Sequence, residues 1–257
     1  MNFQVKSMRI KVTLQAKEKY LKIPANYQYM LQGCIYRQLA GDPDFQAFLH
    51  ETGYQYEKRK FKAFTYSRLS GKSFYDQKRK QLIFEGPVTL YIGSAVSKFI
   101  QLLGQSLLLS DEFIFHQTKM TMEALQYEKE PEINGEKVKI KMLSPVTVYS
   151  TFETAQGKKR TQYYNPYDPA FSSLIAENAR KKYEAFHKKT YDGQVVIRPV
   201  NVKIKDKVVT KFKNIYINAW NGIYELKAPQ EVIRFLYDSG IGGKNSQGFG
   251  MFKILND

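Results

Sequence analysis

Apolar and polar positions alternate over residues 9–14, Arg-Ile-Lys-Val-Thr-Leu, and predict a half-buried strand. After Pro24 the period lengthens. Tyr27, Leu31, Cys34 or Ile35, and Gln38 or Leu39 recur every three to four residues, predicting a helix that Gly41-Asp42-Pro43 ends. A short helix over 44–51, carrying Phe45, Phe48 and Leu49 and closed by Gly53, leads into a strand over 61–69. Residues 82–84 and 88–92 predict a β-hairpin, 94–108 an amphipathic helix, and 113–125 another strand. The order so far is β-α-β-β-α-β.

Residues 128–137, charged and carrying Pro131 and Gly135, predict a boundary. Beyond it come a strand over 139–151, a basic loop at 156–160, a returning strand at Tyr163-Tyr164 and a long helix over 169–189. Two strands, 195–205 and 208–220, turn at Asp206-Lys207; a short helix over 230–237 and a strand over 251–255 close the series. The order repeats. The expected fold is therefore α+β, with tandem ferredoxin-like (RRM-like) βαββαβ domains over 1–127 and 136–257, a C-terminal glycine-rich loop and a cleft between the sheets.

That loop, residues 240–250, concentrates Gly240, Gly242, Gly243, Gly248 and Gly250, five of the sixteen glycines of the chain. Gly243 and Gly248 have P-loop spacing, but Phe249 stands where a lysine is needed, and no G-x-G-x-x-G can be read. Residues 251–257 are too few for a phosphate-binding helix. What remains is a ridge of backbone N–H groups around Lys244 and Asn245, suited to an extended phosphate chain. A glycine-rich hairpin turn with a bulge is the other reading.

Forty Lys and Arg against twenty-four Asp and Glu in 257 residues give a net +16, which favours a polyanionic partner, nucleic acid or an anionic surface. The first ten residues show no apolar leader segment, no stretch is long and apolar enough for a membrane span, and the single Cys34 excludes an intrachain disulfide framework or a cysteine-rich zinc site. A cytoplasmic protein is expected. Basic runs at Lys58, Arg59, Lys60, at Lys158, Lys159, Arg160, at 78–80 and at 180–182 are candidate phosphate contacts or solvated faces.

Three histidines are available for proton transfer. His116 on its expected strand and His187 near a helix end read as structural, whereas His50 closes a short helix just before the basic run at 58–62. There is no His-x-x-x-His and no paired Asp pattern, so neither metal nor other cofactor is expected. RNA allows metal-free cleavage, because its 2′-hydroxyl can attack the adjacent phosphate once a base takes its proton and an acid protonates the leaving 5′-oxygen.

Five separated motifs carry a family resemblance: Ile23-Pro24 with residues 27–36, then Phe48-Leu49-His50-Glu51, then residues 61–67, then residues 143–148, and finally residues 240–250. In this order they resemble the CRISPR-associated repeat-processing endoribonucleases, the sixth Cas family of the RAMP superfamily. The last motif matches the family's G-x-G, five residues, G-x-G form. The resemblance implies two ferredoxin-like domains that bind CRISPR repeat RNA and cut it without metal, leaving a 2′,3′-cyclic phosphate and a 5′-hydroxyl. It implies His50, Tyr36 and Lys62 as catalytic residues. A histidine ordinarily titrates near about 6.5 and suits the base; a tyrosine, near about 10, suits donation or positioning; the two roles are exchangeable. Lys62 would stabilise charge on the reacting phosphate. Gly240, Gly242, Gly243, Lys244, Asn245, Gly248 and Gly250 are expected to hold the RNA backbone. The alternative implied is a catalytically idle RNA-binding RAMP subunit of an effector complex. A CRISPR effector complex is also the candidate recipient of product; membrane partners are not expected, and oligomerisation stays open.

Overall fold

A computed structural model describes residues 8–110 and 112–255. The first seven residues, read above for a leader, lie outside the described residues. In chain order the first half contains β1 (Arg9–Ala16), β2 (Tyr20–Pro24), α1 (Gln28–Arg37), α2 (Pro43–Ala47), β3 (Tyr54–Tyr56), β4 (Arg59–Phe61), β5 (Phe64–Tyr66), β6 (Ser70–Asp76), β7 (Gln81–Ser94), α3 (Ser97–Leu109), β8 (Phe113–Phe115) and β9 (Thr118–Tyr127). The second contains β10 (Lys137–Met142), β11 (Tyr149–Glu153), β12 (Lys159–Tyr163), α4 (Pro169–His187), β13 (Val196–Asn201), β14 (Lys207–Phe212), β15 (Ile215–Trp220), β16 (Ile223–Lys227), α5 (Gln230–Ser239) and β17 (Phe252–Leu255).

The first half builds one curled antiparallel sheet in the order β2-β7-β1-β9-β8, with β5 and β6 also paired to β7. The second builds a four-stranded antiparallel sheet, β13-β16-β10-β17. Each sheet has its own core. Ile10, Val12 and Leu90 meet Leu31 and Ile35 of α1 and Phe99 and Leu103 of α3. Ile140, Tyr224 and Leu226 belong to a second cluster with Phe171 and Ile175 of α4 and Val232 and Leu236 of α5.

The expected hairpin over 82–92 is instead the single fourteen-residue strand β7. Gly86-Pro87 reads locally as a turn, yet Gly86 takes φ +79° and the strand continues. On one side residues 86 and 87 fall between the end of the β2 ladder at Glu85 and the start of the β1 ladder at Val88. On the other they sit at the register shift where Ser70 faces Thr89 and Lys72 faces Glu85. Pro87 therefore removes no ladder donor from a position that needs one.

Three further expectations change. The strand predicted over 113–125 is a hairpin, with His116 and Gln117 at its turn, both at positive φ. Residues 207–220 form their own hairpin, β14–β15, rather than pairing with β13, whose neighbour is β16, a strand the pattern did not reveal. The strand predicted over 61–69 breaks at Lys62-Ala63, where Ala63 has φ +54°. That break takes Lys62 out of a regular ladder, and its side chain reaches the backbone of residues 48–52.

Candidate active site and nucleic-acid cleft

His50 lies on a single π-helical turn, residues 48–52, that follows α2. Asp42 caps α2 by accepting from the Phe45 N–H, with Pro43 at the first helical position, so the sequence starts this element where Gly41-Asp42-Pro43 stopped the previous one. Gly53 ends it at φ +64°, and a Cβ there would meet the Phe61 carbonyl oxygen at 2.5 Å. A glycine is thus required for the turn to close against β4. Two lysines then fasten the turn's backbone: Lys62 Nζ donates to the His50 carbonyl at 2.9 Å and Lys60 Nζ to the Glu51 carbonyl at 2.9 Å.

Tyr36, in the last turn of α1, reaches the same place from the other side. Its ring stands edge-on to His50 at 5.5 Å and to Phe64 at 5.6 Å, and its hydroxyl points at the Leu49 carbonyl, 3.5 Å away. Burial pushes the phenol up to about 12, so it carries its proton at neutral pH. Burial also holds the Lys62 ammonium below the ordinary lysine range; neighbouring Lys60 adds to this and Glu51 opposes it. The three residues picked from the sequence are therefore brought together around an exposed imidazole. Among the described residues, no three or more His, Cys, Asp or Glu side chains gather as a metal site.

Beside this cluster runs a cleft of about 620 Å³ between the two halves. One wall is the segment from Arg59 to Phe64; the other is the start of β11, one face of α4 and the glycine loop from Gly242 to Ser246. Arg59, Lys60, Lys62, Lys182 and Lys244 line it against one carboxylate, Glu177. Lys62 is the link, reaching the His50 carbonyl while lining the cleft. Lys58 lies in the exposed turn before β4, and Lys158, Lys159 and Arg160 project on the exposed β11–β12 hairpin, outside the cleft lining.

Part of the ridge of N–H donors expected in the glycine loop is engaged within the fold. The amides of Ile241, Gly243, Gly248 and Gly250 donate to Gly250, Thr147, Asn245 and Pro145 carbonyls. A Cβ at Gly248 would strike the Tyr66 ring at 2.6 Å, and one at Gly250 the Ile241 carbonyl at 1.9 Å. Close packing against both halves is what these glycines permit. Asn245 staples the loop, its Nδ2 donating to the Ile241 and Phe249 carbonyls at 3.1 Å each.

Beneath the staple sits a residue that sequence reasoning placed only in a basic run. Lys182 of α4 is fully buried, and its Nζ donates to the Gly240 carbonyl at 2.6 Å and to Asn245 Oδ1 at 2.7 Å. Burial lowers its pKa to about 7. Its i−3 and i−7 neighbours Ala179 and Ile175 are buried core residues, which marks its position as inward-facing on the helix. Its run partners differ: Arg180 pairs with Glu184 at 3.0 Å and Lys181 with Glu177. Lys244 lies 4.8 Å over the Tyr149 ring, also lowered by burial.

Two antiparallel sheets packed on a glycine loop, with a cleft lined by five basic residues and one carboxylate between them, define an α+β protein with a positively charged groove. The Cas6 N-terminal family model matches residues 22–126 and the Cas6 C-terminal model residues 128–254. The chain belongs to the Cas6 family of CRISPR-associated proteins. CRISPR-associated endoribonuclease Cas6 1 of Methanocaldococcus jannaschii is 31% identical over 98% of this chain and 94% of its own length. CRISPR-associated endoribonuclease Cas6 of Pyrococcus furiosus is 26% identical over 95% and 88%. Among solved structures, a Cas6-related protein from Pyrococcus furiosus shares the fold at a TM-score of 0.85 with 23% identity, covering 98% of this chain and 99% of that one. A RAMP protein described as binding different RNA substrates shares the fold at 0.82 with 23% identity, covering 97% and 100%.

Proposed function

We propose that this chain is a metal-independent, sequence-specific endoribonuclease that cuts CRISPR repeat RNA in precursor transcripts. The 2′-hydroxyl at the cut site attacks its own phosphate, leaving guide RNA with a 5′-hydroxyl and a 2′,3′-cyclic phosphate. The observation that carries this reading is the joint placement of Tyr36, His50 and Lys62 at the edge of a basic cleft. His50, whose ring is exposed, takes the 2′-hydroxyl proton. Tyr36, kept protonated by burial, donates toward the leaving 5′-oxygen or orients the nucleophile. Lys62 swings from the His50 carbonyl to the phosphate and stabilises its developing charge.

RNA follows the cleft between the halves, with Arg59, Lys60 and Lys244 on its phosphates; the glycines of the loop shape that path through close packing. We assign a ferredoxin-like unit to each half, 1–127 and 136–257. In support, the fourth core strand lies beside the first, the first beside the third and the third beside the second, as β9-β1-β7-β5 and as β17-β10-β16-β13.

The deciding experiment incubates the protein with a repeat RNA in EDTA beside a copy whose cut-site 2′-hydroxyl is replaced by hydrogen. Cleavage of the first alone, with cyclic phosphate ends, is expected. Cleavage of the deoxy copy, or a requirement for Mg²⁺, removes the mechanism; binding without any cleavage gives the idle RNA-binding subunit instead.

A further inference from the structure

A second cavity, about 660 Å³, opens in the second half between the end of β12, the turn before α4 and the β13–β14 connection. Its size falls in the range of small-ligand sites. Tyr163, Tyr167 and Trp220 supply aromatic walls, Asn218 an amide, and Lys203 and Lys207 two cations. The acids nearby are already engaged: both carboxylate oxygens of Asp168 accept from Asn165, and Asp206 accepts from the Lys203 backbone N–H. Among the described residues neither lysine ammonium makes an ion pair, and the Asn218 side-chain amide, the Trp220 indole N–H and the Tyr163 hydroxyl have no hydrogen-bond partner.

This combination is that of a nucleotide site. Half-buried aromatic faces offer stacking, an unengaged amide offers a donor and an acceptor to a base edge, and paired lysines offer charge to the flanking phosphates. The cavity also adjoins the cleft. Tyr163 faces Tyr149 across the β11–β12 ladder, with rings 5.5 Å apart, and Tyr149 lines the cleft.

We propose that this cavity holds an unpaired nucleotide of the RNA strand beyond the cleft, its base against Tyr163 and Trp220 and its phosphates on Lys203 and Lys207. The inference rests on the reading that RNA occupies the cleft. It adds a base-binding site lined by none of Tyr36, His50 and Lys62, one that acts on binding and not on the chemical step.

Trp220 is the only tryptophan of the chain, so its emission reports on this cavity alone. The full-length protein is titrated with a single-stranded repeat oligoribonucleotide carrying a 2′-deoxy cut site, and with AMP. Saturable quenching by the oligonucleotide is expected, with little response to AMP. Lys203→Ala/Lys207→Ala should weaken oligonucleotide binding about tenfold and reduce the slope of log K against log salt by about 1.4, at about 0.7 for each phosphate contact on a single strand. The same double variant should cut bound, unmodified RNA at the wild-type single-turnover rate. RNA that binds without changing Trp220 emission overturns the site, as does a double variant with wild-type affinity and salt slope. Quenching by AMP at lower concentration than by the oligonucleotide overturns the assignment to the RNA strand. Absence of cleavage with Trp220 quenching intact would remove the endoribonuclease reading and leave this site standing.

Discussion

The turn that carries His50 is tied to one wall of the cleft through Lys62, the loop that carries five glycines forms part of the other, and the two are held in opposite ways. The turn is one exposed π-helical turn whose backbone is tied to β4 and the following residue by two lysine side chains. The loop is stitched to both halves: Thr65 Oγ1 donates to the Phe249 carbonyl, Gln32 Nε2 to the Ser246 carbonyl, and the Gly250 amide to the Pro145 carbonyl. The difference separates chemistry from architecture. His50 sits where a side chain can be removed at little cost in stability, and the glycine motif sits where almost nothing can be added.

The largest effect that would test this division is on turnover. His50→Ala should lower the rate of RNA cleavage by about 10²–10⁴-fold, the usual range for loss of a proton-transfer group, while repeat binding and unfolding temperature stay near wild type. A parallel loss of stability would show that the turn is architectural after all. Next in size, Gly250→Ala should destabilise the protein by about 3 kcal/mol in urea unfolding, from a left-handed φ of 78° and a clash with the Ile241 carbonyl. A variant of wild-type stability with impaired cleavage would move the loop to the chemical side.

Lys182 sharpens the architectural side through pH. Its folded pKa, lowered by burial to about 7, lies below the unfolded value of about 10.4, so the unfolded chain binds the extra proton between those limits. Its contribution is complete above about 10.4 and is lost as pH falls toward 7. Over that window wild-type stability should gain up to about 1.4 kcal/mol per pH unit relative to Lys182→Met. Equal pH slopes for the two proteins, measured by urea unfolding at pH 7.5 and 9.5, would show that the lysine is not held neutral. The smallest effect belongs to the exposed hairpin: Lys158→Ala/Lys159→Ala/Arg160→Ala should leave stability within about 0.5 kcal/mol. If all three residues touch phosphate, the RNA salt slope should fall by about 2.

Tyr36 and Lys62 enter as candidates only through the resemblance, which rests on the type and order of separated motifs; residue pattern alone singles out His50. Tyr36, His50 and Lys62 are separated along the chain by short elements whose caps and breakers, Asp42, Pro43 and Gly53, can be read locally. The role of the glycine loop was not legible, because glycine marks both an open phosphate cradle and close backbone packing. Only the positions of Tyr66, Thr147 and Ile241 decide between them. Lys182 was hidden in a run of three cations of which it alone faces inward. Strand β7 misled because Gly86-Pro87 carries a turn signal at a position where neighbouring strands happen to leave the ladder open. The β14–β15 hairpin reads in the sequence as one strand over 208–220, because alternation alone shows neither the turn inside it nor the neighbour it pairs with.

The buried Arg9 has a consequence for synthesis. Its guanidinium, at the start of β1, donates to the Phe252 carbonyl at 2.8 Å and to the Tyr237 carbonyl, and it lies 3.4 Å over the Tyr237 ring. Both partners are made more than two hundred residues later. A nascent chain can assemble much of its first sheet early, but that arginine stays without these partners until residue 252 has left the ribosome. The same is true of Thr65 and Gln32, which wait for the loop. The cleft therefore forms only once its far wall, the loop over residues 240–250, has been made and packed, and a chain truncated before that loop carries His50, Tyr36 and Lys62 without the groove beside them.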